Sequence, residues 1–534
     1  MGQTGAAPAP AQSRNAAGFA RDEDGSMLLF GLYLFMGILL IGGISVDIMR
    51  NEYSRLGLQN TVDTAVLAAA DLDQRLDPED VVNDYFEKAG MSQYLDSISV
   101  VEYENSRTVT ATSSVDVTTL FVNALGVTSM PARAMGTARE DISDIEISMV
   151  LDVSGSMGSG SRLTELKTAA SNFVNTVLSD ERTLEGGSEV TISIVPYSTQ
   201  VNIGQTVAAG MNLSMRHDYS HCVDFEAQDF DRTDLPTAVR NQTGHFDPFT
   251  ITSPPQLFVC RDDPALHAQL ITENKQALLA QINALTPNGN TSTDLGVKWG
   301  MALLDPSFRT ITADLIAAGE VQPIFDERPY DFNRPNTMKV LVVMTDGAQT
   351  TQHMLRDSYN QGMSDVWAFQ NKPNDWRFSV DHAEHWDKDG DGESWEPWYI
   401  TRTKKWDNNR DGGNANSHQL SYRELWNLAS IRYNARNMWR NQDNSSSLEN
   451  QWRNNPQQTV GASTKNQRMR RICAEAKAKG VLVFSVAFEI SNSDAALMAE
   501  CASSPNHYFD VDGEDIIYAF SAIASTINQL RLIQ

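Results

Sequence analysis

"DIEISMVLDVSGSMGSG", residues 144 to 160, decides the fold. Its first nine residues carry an apolar run, as a buried strand does, and the run ends abruptly in three oxygen-bearing side chains at alternate positions: Asp152, Ser154 and Ser156. A flexible "GSG" and the helix-forming stretch "RLTELKTAASNFVNTVL" follow. D-x-S-G-S therefore sits at the carboxyl end of a strand, in the turn to a helix, where open α/β sheets bind ligands. A nucleophile elbow would read G-x-S-x-G with a histidine base downstream, but Asp152 stands where its first glycine belongs. A phosphate-binding P-loop needs a lysine before its Ser/Thr, and none is there. One carboxylate with two hydroxyls is a hard-oxygen set of the kind that suits Mg²⁺ or Mn²⁺.

Two later stretches extend that set. "TPNGNTSTDLGVKWGMALL" places Thr291 in a glycine-containing turn before a helix, and "MKVLVVMTDG" is a second apolar strand ending in Asp346-Gly347. Taken with D-x-S-G-S, the order and the strand-turn contexts resemble the von Willebrand factor A (VWA) domain and its metal-ion-dependent adhesion site. The resemblance implies a Rossmann-like α/β fold. It also implies Asp152, Ser154, Ser156, Thr291 and Asp346 as ligands of Mg²⁺ or Mn²⁺, Asp346 through water. Few carboxylates leave such a cation under-neutralised and open to a carboxylate from a partner. A structural metal that pins the loops is the competing role. Further strands ("VTISIVPYS", "VLVFSVAFE") and helices ("AQLITENKQALLAQINAL", "RICAEAKAKG") continue the alternation to a last short strand and helix.

The N-terminal region has another character. Residues 27 to 46, "MLLFGLYLFMGILLIGGISV", contain no charge and span about 30 Å as a helix, the thickness of a bilayer core. "DIMRNEY" follows rather than a small-residue cleavage site, so an uncleaved anchor is expected, with 1–26 as a short cytoplasmic tail. Arg14 and Arg21 on one side balance Arg50 and Arg55 on the other, so orientation rests on the short tail and on cysteines that occur only after the anchor. That places the bulk of the chain in the periplasm or outside the cell. "GFARDE", 18–23, shares features with a prepilin cleavage site, but Arg21 and Asp22 intervene before the apolar run. The helix should continue as a stem over 47–77, with Leu56, Leu58, Val62, Val66 and Ala69 near one stripe and Asp63 beside it. "GGISVDIMRNEYSRLGLQNTVDTAVLAAA" resembles the N-terminal segment of tight-adherence (Tad, Flp pilus) assembly proteins of the TadE/TadG type, a likeness covering 27–72. The C-terminal stretch from Cys501-Ala502 to "LRL" resembles TadG as well. Between stem and VWA-like region, 78–140 reads as a small α+β spacer module: a capped helix, a hairpin, the short helix "LFVNALG" and a final strand.

The region 141–534 exceeds a compact VWA domain, and the excess lies in insertions at about 203–262 and 350–465. Nine of the ten tryptophans fall between Trp367 and Trp452, so they form either the core of an extra lobe or an exposed binding surface. "HWDKDGDGESWE" spaces Asp387, Asp389 and Asp391 as D-x-D-x-D-G, and "KWDNNRDGGN" spaces Asp407, Asn409 and Asp411 as D-x-N-x-D-G. Both are the first half of an EF-hand-type Ca²⁺ loop, without its twelfth-position glutamate; solvated Asx-Gly turns are the alternative. Four cysteines, Cys222, Cys260, Cys473 and Cys501, contain no C-x-x-C, and an exported chain would pair them. Three connectivities are open, of which 222–260 and 473–501 close the smallest loops.

The net charge of −26 disfavours nucleic acid and anionic lipid headgroups as partners. No general base accompanies the oxygen cluster, so an enzyme is not expected. The resemblances imply a membrane-anchored protein for assembly, anchoring or display of a Flp/Tad-type pilus, binding a protein partner of that apparatus through a metal-bound carboxylate. The alternative is a calcium-dependent bacterial surface adhesin working through the tryptophan-rich insertion.

Overall fold

The computed structural model describes residues 24–71, 76–103, 106–141, 144–178, 190–382 and 395–533. The chain divides into two compact units, Met1–Asp141 and Ile142–Gln534. The "GFARDE" stretch lies outside the described residues.

In the first unit one unbroken helix, α1 (Asp24–Ala70), carries both the apolar run and the stem. It is the one helix among the described residues long and apolar enough to cross a membrane. Its apolar residues from Met27 to Ile41 are exposed, as expected of a surface whose solvent is lipid. Beyond residue 57 the helix becomes amphipathic. Leu58, Val62, Ala65, Val66 and Ala69 are buried, and Leu56 points outward, so the stripe starts at Leu58 rather than at Leu56. The stripe packs on α2 (Pro78–Lys88) and on an antiparallel sheet of β1 (Leu95–Tyr103), β2 (Ser106–Thr118) and β3 (Ser129–Asp141). Stem and module thus share one core, with Phe86, Val109, Ala111 and Ala134 facing the helix. Small residues on β3 let the helix lie close: a side chain at Gly136 would meet Val62 Cγ1 at 2.8 Å. "LFVNALG" forms only a four-residue 3₁₀ turn, Val122–Leu125. Asp47 holds that turn, its carboxylate accepting the N–H groups of Leu120 (2.9 Å), Phe121 and Val122 (2.8 Å each).

The second unit is mixed α/β. Its elements begin with β4 (Asp144–Asp152), α3 (Arg162–Val177), β5 (Val190–Tyr197) and β6 (Gln269–Thr272). Helices α4 (Lys275–Ala284), α5 (Thr293–Ala302) and α6 (Arg309–Ala317) precede β7 (Thr337–Thr345) and the short β8 (Gln352–Leu355). The large insertion ends with β9 (Gln457–Val460), and α7 (Ala462–Ala478), β10 (Leu482–Phe488), α8 (Asn492–Cys501), β11 (Tyr508–Val511) and α9 (Asp515–Ile533) follow. Six strands form one sheet in the order β11-β10-β7-β4-β5-β6, parallel except for β6. Alternation along the strands fills two cores. Ile145, Ile147, Met149 and Leu151 of β4 face α3, α4 and α9, while Val150 faces α5, α7 and α8. Phe173 on α3 is fully buried, worth about 2–3 kcal/mol of transfer free energy by itself. Two glycines let α5 approach the sheet: a side chain at Gly296 would meet Tyr197 and Val150 at 2.7 Å, and one at Gly300 would meet Val150 at 2.5 Å.

The two insertions form one lobe. Phe246 and Val259 of the first pack with Val366, Phe378, Tyr399, Trp426 and Trp439 of the second. Backbone bonds join them as well, Ser430 N–H to Thr252 O and Ile431 N–H to Asp247 O. Trp406, Trp426 and Trp439 are core residues and Trp376 and Trp452 pack against that core, while Trp395 is half exposed. The rings therefore serve mainly to give the lobe an apolar interior. Disulfides join Cys222 to Cys260 and Cys473 to Cys501. The first staples the smaller insertion, and the second ties α7 to α8.

Candidate metal centre

The sheet grows in one direction through β5 and β6 and in the other through β7, β10 and β11, so β4 and β7 flank its switch point. The chain continues from β4 to α3 on one face of the sheet and from β7 toward α7 on the other, which leaves a crevice at the carboxyl ends of the two strands. β4 ends in Asp152 and β7 is followed directly by Asp346, which puts the two carboxylates on either side of that crevice. Ser154 and Ser156 occupy the turn after β4, where the Ser154 N–H donates to Asp152 Oδ1 at 2.8 Å. The two hydroxyl oxygens are 3.0 Å apart, and Ser156 donates to Asp346 Oδ1 at 2.5 Å. Asp152, Ser154 and Asp346 are buried; Ser156 is half-buried and forms the mouth of the cluster.

Thr291 belongs to the loop before α5. The loop docks on the serine turn through Gly155 N–H to Gly289 O at 2.9 Å, and a side chain at Gly155 would press on that same carbonyl at 3.2 Å. The Thr291 N–H donates to Thr350 Oγ at 2.9 Å, so the loop after β7 holds it from the other side. Lys465 of α7 completes the cradle, donating to Thr291 O (2.7 Å), Ser292 Oγ (2.7 Å) and Thr350 O (2.8 Å). It is fully buried and 3.8 Å from Asp294 Oδ1, itself buried with no hydrogen-bond donor on either carboxylate oxygen among the described residues.

Burial, and after it the charge of Asp346, pushes the Asp152 carboxyl up to about 6. Burial also raises Asp346, against the pull of the Ser156 hydroxyl and the Arg162 guanidinium. Thr345 Oγ donates to Asp152 Oδ2 at 2.7 Å, and the Tyr197 hydroxyl lies 3.2 Å from that same oxygen. Asp346 Oδ2 pairs with Arg162 at 3.2 Å, and Arg162 in turn with Glu489 at 2.7 Å. Two buried carboxylates that resist ionisation beside each other, linked by two hydroxyls, are a donor set a small divalent cation fits. Among the described residues no group of three or more His, Cys, Asp and Glu side chains gathers as for a metal; the set here is two carboxylates with hydroxyls. Tyr197, Thr345, Arg162 and Lys465 are absent from the sequence reading. Only Thr345, next to Asp346, has a local signal.

The second aspartate-rich loop holds itself together. Asp407 accepts the Asn409 N–H at 2.8 Å, an Asx turn, and Asn409 accepts from Asn414. Asp411 is paired with Arg402 at 3.1 Å and lies 3.6 Å from Arg377. Asp387, Asp389 and Asp391 lie outside the described residues.

A family model described as putative Flp pilus-assembly TadE/G-like matches residues 25–72. No curated protein matches the chain. Among solved structures, the chain is similar to the vWF domain of the type V pili tip protein Mfa5 from Porphyromonas gingivalis, at 14% identity and TM-score 0.32, over 74% of this chain and 97% of that one. It is similar to the pilus adhesin SpaC from Lactobacillus rhamnosus GG (13% identity, TM-score 0.31, 80% of this chain and 34% of that). The pilus adhesin RrgA from Streptococcus pneumoniae gives 11% identity and TM-score 0.30 over 82% of this chain and 50% of that. The chain thus spans between a third and a half of those two adhesins. It carries a TadE/G-like segment on its apolar N-terminal helix, ahead of a mixed α/β unit with a carboxylate–hydroxyl cluster at the sheet's switch point.

Proposed function

We propose that the chain is a single-pass envelope protein for assembly, anchoring or display of a Flp/Tad-type pilus. Its second unit is a VWA domain that grips a protein partner through a divalent cation. The observation that carries this reading is the cluster at the switch point: Asp152, Ser154, Ser156 and Asp346 linked within 3.0 Å, with Thr291 on a loop docked to the same turn. Bound there, Mg²⁺ or Mn²⁺ would offer an electrophilic position to a partner's carboxylate. The chain's own residues do the rest. Thr345 and Tyr197 fix Asp152, Arg162 offsets part of the Asp346 charge, and Lys465 fixes the Thr291 loop. We take the site to bind rather than to catalyse, because its polar groups hold one another and would hold a cation between them. An adhesin working through exposed tryptophans draws less support, since Trp406, Trp426 and Trp439 are engaged in the lobe's core.

Calorimetric titration of the full chain in lipid nanodiscs with Mg²⁺ and Mn²⁺ tests the reading. Wild type should show one site that Asp152→Ala removes. A wild type silent to both ions, or a binding event that survives Asp152→Ala, would sink it.

A further inference from the structure

A cleft of about 880 Å³ opens beside the candidate metal centre. Asn290 and Thr350 form its inner end, one residue from Thr291 and hydrogen-bonded to it respectively. Both insertions build its walls. Phe249 comes from the first; Arg356, Arg432 and Arg453 come from the second. Among the described residues no Asp or Glu lines it, in a chain whose net charge is −26. None of the three arginines has an ion-pair partner among the described residues. Two are aimed by backbone carbonyls: Arg432 donates to Phe249 O at 2.7 Å and Arg356 to Gln457 O at 3.1 Å. Burial, and with it the charges of Lys465 and Arg432, lowers the His353 imidazole in the same cleft, so that ring adds no positive charge near neutrality. Guanidinium groups with free donors are the groups that recognise carboxylates bidentately.

The geometry points to this cleft as the docking site of an acidic polypeptide segment, which runs from the candidate metal centre outward along Arg356, Arg432 and Arg453. Two features favour a polypeptide over another polyanion. A partner that ligates a metal through one carboxylate has its neighbouring residues within reach of the cleft. The far wall is the strand β9, which pairs only with β8 and keeps its other edge without a strand partner among the described residues. Gln458 and Thr459 on that strand are exposed, so an extended chain can add to it while its acidic side chains meet the guanidiniums. The insertions are then the specificity element of the site and the cation its common anchor. This rests on the proposed metal reading only for the first carboxylate.

The test uses the full chain in phosphatidylcholine nanodiscs and a fluorescein-labelled hexaglutamate peptide, followed by anisotropy with and without Mg²⁺. Wild type should bind, more weakly as salt rises. Arg432→Gln/Arg453→Gln should weaken binding about tenfold or more, with or without Mg²⁺. Because Arg432 also holds the Phe249 backbone, Arg453→Gln alone is the second variant; the Arg453 side chain has no hydrogen-bond partner among the described residues, and its loss should cost about threefold. Asp152→Ala should remove only the Mg²⁺-dependent increment. Peptide binding unchanged by both arginine variants would overturn the inference. A heparin hexasaccharide binding tenfold tighter than the peptide, with the same arginine dependence, would also overturn it and assign the cleft to a glycan. Calorimetry on the same samples keeps the readings apart: arginine-dependent binding without a Mg²⁺ event supports the cleft and removes the metal site.

Discussion

Asp47 and Asp152 are both buried carboxylates next to a turn, and they have opposite surroundings. Asp47 receives three backbone N–H groups from residues 120–122. Although burial works to raise it, those donors and Arg50 hold its carboxyl below the usual range. Asp152 receives one backbone N–H and hydroxyl groups, and faces Asp346 across the crevice; its carboxyl is raised. The first is a finished structural joint, because three fixed backbone donors meet its two oxygens. The second is a site at which negative charge is gathered faster than the protein neutralises it. A fold tolerates that where something else supplies positive charge. Breaking each region should therefore have a different signature, and the largest effect should come from the residue that supports the second region from behind.

Lys465→Met removes three hydrogen bonds to the Thr291 and Thr350 loops and leaves Asp294 with Arg468 alone, at 3.8 Å. A buried charge that loses its partner costs about 3–5 kcal/mol. Urea unfolding of the variant should show a loss of that size, together with loss of any Mg²⁺ binding. A loss under 1 kcal/mol would mean that the cradle is held by Gly155–Gly289 and Thr350 without it.

How much of this was legible follows from distance along the chain. Asp152, Ser154 and Ser156 announce themselves because strand alternation and turn chemistry are local, and Asp346 because it ends a second apolar run. Lys465 does not, since it meets Thr291 across 174 residues of intervening chain and its own helix, "ASTKNQRMRR", looks like a solvated one. The stem stripe from Leu58 to Ala69 could be read from period alone. Its partner, the sheet of the following module, could not, and so a helix and a spacer were expected where one core exists. Each insertion was visible as excess length. That Phe246 of one packs with Trp426 of the other has no local signature at all.

Asp152→Asn tests the second region directly. Without metal the variant should unfold at the same urea concentration as wild type or slightly higher, by about 1 kcal/mol, because a carboxylate that resists ionisation is replaced by a neutral amide. At a Mg²⁺ concentration about 100 times its Kd, wild type should gain about 2.7 kcal/mol and the variant nothing. Equal gains in both would place the metal elsewhere; a metal-free variant several kcal/mol weaker would make Asp152 a joint like Asp47.

The smallest effect belongs to the first region, and it is local. Asp47→Asn keeps one acceptor oxygen and turns an amide NH₂ toward the remaining backbone donors. Amide hydrogen exchange at Leu120, Phe121 and Val122 should quicken about tenfold or more, while β2 and β3, held by their own ladder, stay protected. The pH dependence has a fixed sign. A carboxyl whose folded value is depressed contributes protection that is complete above the ordinary carboxylate value, about 3.9, and is lost as pH falls through the lower folded value. Protection factors at those three amides should therefore hold through pH 5 and drop only in stronger acid for wild type, and should be flat across that range in the variant. A wild type that loses protection between pH 5 and 6 would show that Asp47 titrates as Asp152 does, and the contrast between the two regions would fail at its simplest point.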